Sequence, residues 1–297
     1  MANAFLDALT RDRPLILDGG LSTQLEAQGC DIGGVLWSAA LLQSNPEQIV
    51  SATRAFVDAG AECVATATYQ ASREGFAQVG VSQTEADALM LSAVALARQA
   101  GPDVVAASLG PYGAMLHDGS EYRGDYGVPE ATLRAFHAPR LAMFNDSDAD
   151  VLALETIPSF VEARALAGLL AECTLPSWVS FSCRDGRHIS DGTPIEEAVG
   201  VFAGISRVAA VGINCTPPQY AQELIERVGR ALPGKIIIAY PNSGENYNVD
   251  NNSWSGTVTA RDCAAAARTW VASGAGIVGG CCRMGPEHIR AIKQALM

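Results

Sequence analysis

Lysine is the scarcest charged residue of this 297-residue chain, in which Lys235 and Lys293 are the only two and arginine supplies the other cations. The 20 basic residues face 32 acids, for a net charge of −12. Nucleic acids and anionic membranes bind cationic surfaces, so we expect neither as a partner. Schiff-base chemistry needs a lysine at the active site. Because Lys235 begins a predicted strand and Lys293 lies in the last predicted helix, that chemistry is excluded.

The sequence also lacks a run of eighteen apolar residues, so it predicts no membrane span. Its first residues contain acids and arginines where a signal peptide has an apolar run, and we expect a cytoplasmic protein. The four histidines show no metal-ligand spacing. We expect His137 and His288 on helix surfaces, without a catalytic role.

Hydrophobic residues make up 48% of the chain and charged residues 18%, which excludes global disorder and a coiled coil. Short apolar runs alternate with longer helical patterns. The runs predict strands at 15–18, 63–68, 104–109, 151–155, 178–182, 208–214, 235–240 and 277–281. The helical patterns lie at 46–59, 83–100, 129–145, 160–171, 194–204, 218–230, 259–273 and 286–296.

Eight strands, each followed by a helix, predict an α/β fold consisting of one (β/α)₈ TIM barrel. A doubly wound sheet is the alternative, but eight regular units favour closure. With no linker or low-complexity tract, we interpret residues 1–297 as a single domain. The long connections 19–45, 110–128 and 241–258 follow strands 1, 3 and 7. They therefore lie at the C-terminal face of the barrel, where active sites form.

Three cysteines fall at the ends of predicted strands on that face. Cys281 and Cys282 follow Gly279 and Gly280, which we expect to allow a turn that brings both thiols to one point. Cys215 ends the sixth strand. Three thiolates on one face suit Zn²⁺ and leave its fourth position for a substrate. The alternative is that each is an inert buried thiol, as we expect for Cys30, Cys63, Cys173, Cys183 and Cys263.

Two acids end strands on the same face. Asp18 precedes Gly19 and Gly20, whose backbone N–H groups can approach a carboxylate, and Glu155 ends the fourth strand. Together they predict a site for an α-amino acid, with its ammonium between the two acids. The alternatives are a turn-forming Asp18 and a structural Glu155 paired with an arginine.

These residues lie in motifs that resemble the homocysteine S-methyltransferase family along nearly the whole chain. The motifs are LDGGLSTQLE, TATYQAS, SLGPYGAMLHDGSEYRGDY, LALETIPS, SDGTP, GINCTPP and GGCCRMGPEHI. The resemblance implies a (β/α)₈ barrel, zinc at Cys215, Cys281 and Cys282, and methyl transfer to homocysteine. It also implies that homocysteine is bound through Asp18, Glu155, Gly19 and Gly20, with Asn214 and Tyr69 matching further substrate positions.

The resemblance is to the branch that takes the methyl group from S-methylmethionine, with S-adenosylmethionine as a second donor. Thr156 stands where betaine-dependent relatives have an aromatic residue, and the segment 110–126 also fits this branch. Zinc would hold the homocysteine sulfur as a thiolate, and because the leaving thioether needs no proton, no general acid is required. A different function stays open, namely a metal-binding or redox-sensing barrel in which Cys281 and Cys282 form a vicinal disulfide.

Overall fold

Eight parallel strands form a nearly closed barrel in the computed structural model, which describes residues 3–244, 246–248, 253–255 and 259–297. In chain order the strands are β1 (Leu15–Ile16), β2 (Cys63–Ala65), β3 (Val104–Leu109), β4 (Val151–Ile157), β5 (Ser177–Phe181), β6 (Val208–Asn214), β7 (Ile236–Tyr240), β8 (Asn246–Asn248), β9 (Ser253–Ser255) and β10 (Ala275–Val278). The barrel order is β1-β10-β7-β6-β5-β4-β3-β2. A parallel bridge from Leu17 to Cys63 brings β1 beside β2. The predicted (β/α)₈ architecture is confirmed.

The strands are apolar on both faces because each is packed on both faces, as in other parallel barrels. Alternate residues divide between two cores. Val104, Val151 and Trp178 belong to a core inside the barrel, whereas Val105 and Leu152 pack outward against the helices.

Helices surround the barrel and occupy its long connections. They are α1 (Ala4–Leu9), α2 (Leu21–Ala27), α3 (Leu41–Ser44), α4 (Pro46–Ala59), α5 (Arg73–Gln78), α6 (Gln83–Gln99), α7 (Tyr112–Leu116), α8 (Glu130–Asn145), α9 (Phe160–Leu170), α10 (Ile195–Gly200), α11 (Ala221–Ala231), α12 (Ala260–Ala272) and α13 (Pro286–Leu296). Short 3₁₀ helices span Trp37–Ala40, Ser120–Tyr122 and Pro218–Tyr220. The helix at 46–59 begins and ends as predicted: Pro46 takes the first turn, and Gly60, with φ +110°, ends the helix.

The sequence analysis did not predict two parts of the fold. The N-terminal α1 was not predicted, and its Phe5 packs on Trp178 in the inner core with ring centroids 5.8 Å apart. The predicted long connection 241–258 contains the antiparallel pair β8 and β9, while 245, 249–252 and 256–258 lie outside the described residues. Within the described chain, no helix is both long and apolar enough to span a membrane.

Candidate metal centre and substrate site

Polar side chains replace the apolar ones where the inward-facing rows of the strands reach the C-terminal end of the barrel. Ser108, Glu155 and Asn214 continue the inward rows of β3, β4 and β6, and Tyr240 ends the inward row of β7. Because successive inward residues are two apart, their positions follow directly from the strand pattern. This end of the barrel, which we call the mouth, contains the candidate site.

Three thiols meet at the mouth. The Sγ atoms of Cys215, Cys281 and Cys282 lie within 4.8 Å of one another, and the Sγ atoms of Cys215 and Cys282 are 3.4 Å apart. Cys215 is buried, and the other two are half-buried. The sequence prediction that these three thiols share one point is confirmed by the geometry.

The backbone conformation at the strand ends directs these three thiols toward one another. Cys215 adopts φ +45°, an uncommon conformation for a residue with a side chain, and its N–H donates to the Tyr240 carbonyl at 3.2 Å. Cys281 donates its N–H to the Pro241 carbonyl at 3.0 Å, and Arg283, at φ +66°, continues the turn. Left-handed backbone therefore lies at Cys215 and directly after Cys282.

The two glycine pairs of the mouth pack backbone against backbone. A Cβ on Gly19 would lie 2.2 Å from the Met284 carbonyl oxygen, and one on Gly279 would lie 2.5 Å from Leu17 Cβ. The expected turn follows Gly279 and Gly280, since the Met284 N–H donates to the Cys281 carbonyl at 3.2 Å, although neither glycine has a positive φ. Gly19, Gly20 and Gly279 also lie where strand β1 and the segment after β10 approach too closely for side chains, which brings Asp18 beside the thiols.

Hydrogen bonding among the thiols makes them electrostatically unequal. Hydrogen bonds from Cys281 and Cys282 hold the pKa of Cys215 well below its ordinary value. The hydrogen bond to Cys215 raises the pKa of both donors well above theirs. Three thiolates so close together repel one another, so a bound cation is needed to keep all of them ionised.

Two buried acids lie beside the thiols. Asp18 accepts the Ala65 N–H at 2.8 Å, and Glu155 accepts hydrogen bonds from the hydroxyls of Ser108 and, at 3.0 Å, Tyr240. Burial raises the pKa of Asp18 well above its ordinary value, and the negative charge of Glu155 adds to this. Burial also raises the pKa of Glu155. Neither acid has an ion-pair partner among the described residues, so the arginine-paired alternative for Glu155 finds no support.

A β-bulge sets the direction of Glu155. The register between β4 and β5 shifts between Leu154 and Ile157, and Thr156 adopts φ +62°. Asn214 holds this conformation: its Oδ1 accepts the Thr156 N–H at 2.7 Å, and its Nδ2 donates to the Thr156 hydroxyl at 2.7 Å. The Asn214 side chain therefore fixes the end of β4, with Nδ2 also 3.9 Å from Cys281 Sγ.

The remaining predicted substrate residues differ in whether their hydrogen-bonding groups are available to a ligand. The Gly20 N–H donates to the Met284 carbonyl at 2.9 Å, whereas the Gly19 N–H has no hydrogen bond to any described residue. Of the two amides, Gly19 is thus the one available to a carboxylate. The Tyr69 hydroxyl is buried, and burial raises its pKa well above its ordinary value.

The connection after β3 covers the thiols. In its 3₁₀ helix, the Tyr122 hydroxyl lies 3.5 Å from Cys215 Sγ. The neighbouring Glu121 is buried, and burial raises the pKa of its carboxyl group to about 7. The contact between Tyr122 and Cys215 was not predicted, because Tyr122 lies in a connection whose path the strand pattern does not define.

A buried polar network anchors this connection to α8 and α9. Glu162 accepts the Tyr112 N–H at 2.6 Å, the Tyr126 hydroxyl at 2.9 Å and His137 Nε2 at 2.8 Å. Arg140 donates to His137 Nδ1 at 3.1 Å, so the proton of the neutral imidazole lies on Nε2. Burial lowers the pKa of His137 and lowers that of Arg140 to about 10.

The expectation of surface histidines is wrong for both residues. His137 is fully buried, and His288 is buried with its Nδ1 accepting the Gly285 N–H at 3.0 Å. The signal for His137 was present in the sequence, since it lies on the helical stripe Leu133, Phe136, His137, Arg140, Leu141 and Phe144, all buried. The prediction for Lys235 is confirmed: its Nζ donates to the Ile205 and Val208 carbonyls at the far end of the barrel.

Comparison with known proteins agrees with the geometry of the mouth. The family model for homocysteine S-methyltransferase matches residues 15–296. A homocysteine S-methyltransferase of Bacillus subtilis, YbgG, is 44% identical over 293 residues, covering 94% of this chain and 93% of its own. The homocysteine S-methyltransferase of Escherichia coli is 42% identical, covering 94% of each chain. The metallated form of the Escherichia coli homocysteine methyltransferase MmuM superposes with a TM-score of 0.86 at 40% identity, covering 98% of this chain and 99% of that one. The chain therefore belongs to the homocysteine S-methyltransferase family.

Proposed function

We propose that this protein transfers a methyl group from a sulfonium donor to the thiolate of homocysteine, with Zn²⁺ held by Cys215, Cys281 and Cys282. The observation that carries the proposal is the three-thiol cluster beside two buried acids that lack a cation. Such a mouth suits an amino acid whose ammonium meets the acids and whose sulfur meets a metal. The cytoplasmic location and the single domain over residues 1–297 stay predictions.

The donor set fits zinc. Thiolates about 2.3 Å from a tetrahedral Zn²⁺ lie about 3.8 Å apart, which is close to the spacing of these three Sγ atoms. Three sulfurs leave a fourth position for the substrate. The chemistry that a bound Zn²⁺ supplies is stabilisation of the homocysteine sulfur as a thiolate at neutral pH, where a free thiol is mostly protonated.

The chain's own residues orient the acceptor. We assign Asp18 and Glu155 to the homocysteine ammonium and the Gly19 N–H to its carboxylate. Ser108 and Tyr240 hold the Glu155 carboxylate through both of its oxygens, so that an ammonium meets a preorganised acceptor. Asn214 acts on Thr156 and the bulge, while Tyr69 forms part of the buried wall of the site.

Methyl transfer then needs no proton. The homocysteine thiolate attacks the methyl carbon in line, a carbon–sulfur bond forms, and the bond from that carbon to the donor sulfonium breaks. The electron pair goes to the donor sulfur, which leaves as a neutral thioether. No histidine among the described residues has a hydrogen bond to the three thiols, Asp18 or Glu155, and positioning supplies the remaining catalysis.

S-methylmethionine is the donor we propose as preferred, with S-adenosylmethionine as the second and betaine unused. The connection after β3 provides the acid Glu121 and the ring of Tyr122 near the thiols, which suit a sulfonium cation. A quaternary ammonium is best met by a full aromatic cage, and Thr156 contributes no ring.

Methionine formation from homocysteine tests the proposal. The zinc-loaded protein is assayed with each of the three donors at one fixed homocysteine concentration, and kcat/KM values are compared. We expect the order S-methylmethionine, S-adenosylmethionine, then no turnover with betaine. Turnover with betaine equal to that with S-methylmethionine would defeat the donor assignment. Stoichiometric zinc without turnover of any donor would favour the metal-binding or redox alternative, although all eight cysteines are free thiols in this structure.

A further inference from the structure

Glu121 is a buried carboxylate that the chemistry of homocysteine does not use. The residue is 7% exposed, and its Oε2 atom is buried without a hydrogen bond to any described residue. Leaving a buried carboxylate oxygen unpaired is costly, so such an atom in a working site points to a partner that arrives with a ligand.

The charges around Glu121 indicate the sign of that partner. Asp118, in the same connection, disfavours a second negative charge on the Glu121 carboxyl group. The cation that favours this charge is Arg123, which is 54% exposed and already lies 3.9 Å from Asp118 and 3.4 Å from Asp125. A cationic ligand would relieve this repulsion, whereas an anionic one would increase it.

The position of Glu121 is fixed beside the thiols. The Ser182 hydroxyl donates to its carbonyl at 3.3 Å, and its own backbone nitrogen lies so close to Gly113 that a Cβ there would be 2.5 Å away. The next residue, Tyr122, places its hydroxyl 3.5 Å from Cys215 Sγ. The carboxylate therefore comes from the connection above the thiols, whereas Asp18 and Glu155 come from strand ends on the barrel itself.

We propose that Glu121 recognises the positive charge of the methyl donor, separately from the two acids that bind the homocysteine ammonium. The inference rests on the proposed function and assigns the second substrate of the same site. A sulfonium loses its charge as the methyl group leaves. A carboxylate beside it therefore stabilises the bound donor at least as much as the transition state, so its loss should raise the donor KM without lowering kcat.

The test compares Glu121→Gln with the wild type, both zinc-loaded, and uses Asp125→Asn as the matched acid-to-amide control in the same connection. We expect the KM for S-methylmethionine to rise about 10- to 100-fold, as for loss of a close contact with a charged group. The homocysteine KM should stay within about twofold and kcat should not fall, and Asp125→Asn should leave all three constants unchanged. An unchanged donor KM in Glu121→Gln overturns the inference.

Donor binding by calorimetry provides a readout besides activity and identifies the cation. Each protein is titrated with S-methylmethionine and with a dimethylsulfonium carboxylate that lacks the α-ammonium. Equal weakening of both ligands by Glu121→Gln assigns the sulfonium, and weakening of S-methylmethionine alone assigns its ammonium. Weakening of neither contradicts the inference.

Zinc content and the urea unfolding midpoint show whether the variant is folded. Glu121→Asp is the second variant. We expect a smaller rise in donor KM, because the carboxylate is kept but lies farther from the donor on a shorter side chain. If Glu121→Gln does not fold, a donor KM unchanged in Glu121→Asp overturns the inference. A wild-type protein that turns over no sulfonium donor would instead refute the proposed function, so the two failures are distinguishable.

Discussion

Replacing Glu155 by glutamine tests the acceptor site with little change of shape. The side chain is buried, and the hydroxyls of Ser108 and Tyr240 can each rotate to donate to or accept from an amide. The variant thus removes the negative charge while its hydrogen-bond partners stay in place. A hydrogen bond to a charged group is worth about 1.5–3 kcal/mol, which corresponds to a fall in kcat/KM for homocysteine of about 10- to 150-fold.

The assay is initial-rate methionine formation at saturating donor with homocysteine varied, on protein whose zinc content equals that of the wild type. The exposed acid Glu172, replaced by glutamine, is the control and should leave kcat/KM unchanged. The pH profile of Glu155→Gln should still follow ionisation of the substrate thiol. If the wild-type rate followed a carboxyl group whose titration vanished in Glu155→Gln, Glu155 would be a general base and our reasoning would be refuted.

Two further predictions concern stability. Glu162→Ala leaves the buried His137 without its acceptor and removes the negative charge that favours the buried Arg140 cation, and we expect the free energy of unfolding in urea to fall by about 3–5 kcal/mol. A loss below 1 kcal/mol, as for Glu172→Ala, would show that the network does not stabilise the connection. The pKa of the Glu121 carboxyl group is about 7 in the folded protein, against an ordinary value of 4.5 that we assign to the unfolded chain. Its protonated form therefore stabilises the metal-free folded protein fully below pH 4.5. This stabilisation is lost as the pH rises through 7. Between pH 4 and pH 8 the metal-free wild type should lose about 3 kcal/mol relative to Glu121→Gln, and parallel stability curves would contradict the raised pKa.

The barrel and the thiol cluster were predictable because both follow from regular patterns. Apolar runs that alternate with amphipathic helices are typical of the (β/α)₈ barrel, in which the C-terminal ends of all the parallel strands lie at one face. Cys215 and Cys281 therefore had to be near each other, although they are 66 positions apart in the sequence. The short helices α2, α3, α5 and α7 were not predicted, since segments of four to seven residues show too little periodicity.

Other features of the site depend on contacts that a local pattern does not contain. Gly19, Gly20 and Gly279 are required by the approach of the segment after β1 to the segment after β10, more than 260 positions away. The bulge at Thr156 depends on the Asn214 amide from a different strand. The burial of His137, in contrast, was indicated by a local pattern, because this residue lies on the apolar stripe of its helix. We expected it at the surface because histidine is less often fully buried than apolar residues are.

Zinc content measured together with methionine formation tests the central claim most directly. The wild type, Cys282→Ala and the control Cys173→Ala are purified in reducing buffer, and metal per chain is measured beside the rate with homocysteine and S-methylmethionine. Cys173 lies half-buried after α9, away from the thiol cluster. We predict one zinc per chain and full activity in the wild type and Cys173→Ala, and loss of both in a folded Cys282→Ala. Stoichiometric zinc retained by Cys282→Ala, or full activity without zinc, would contradict the account.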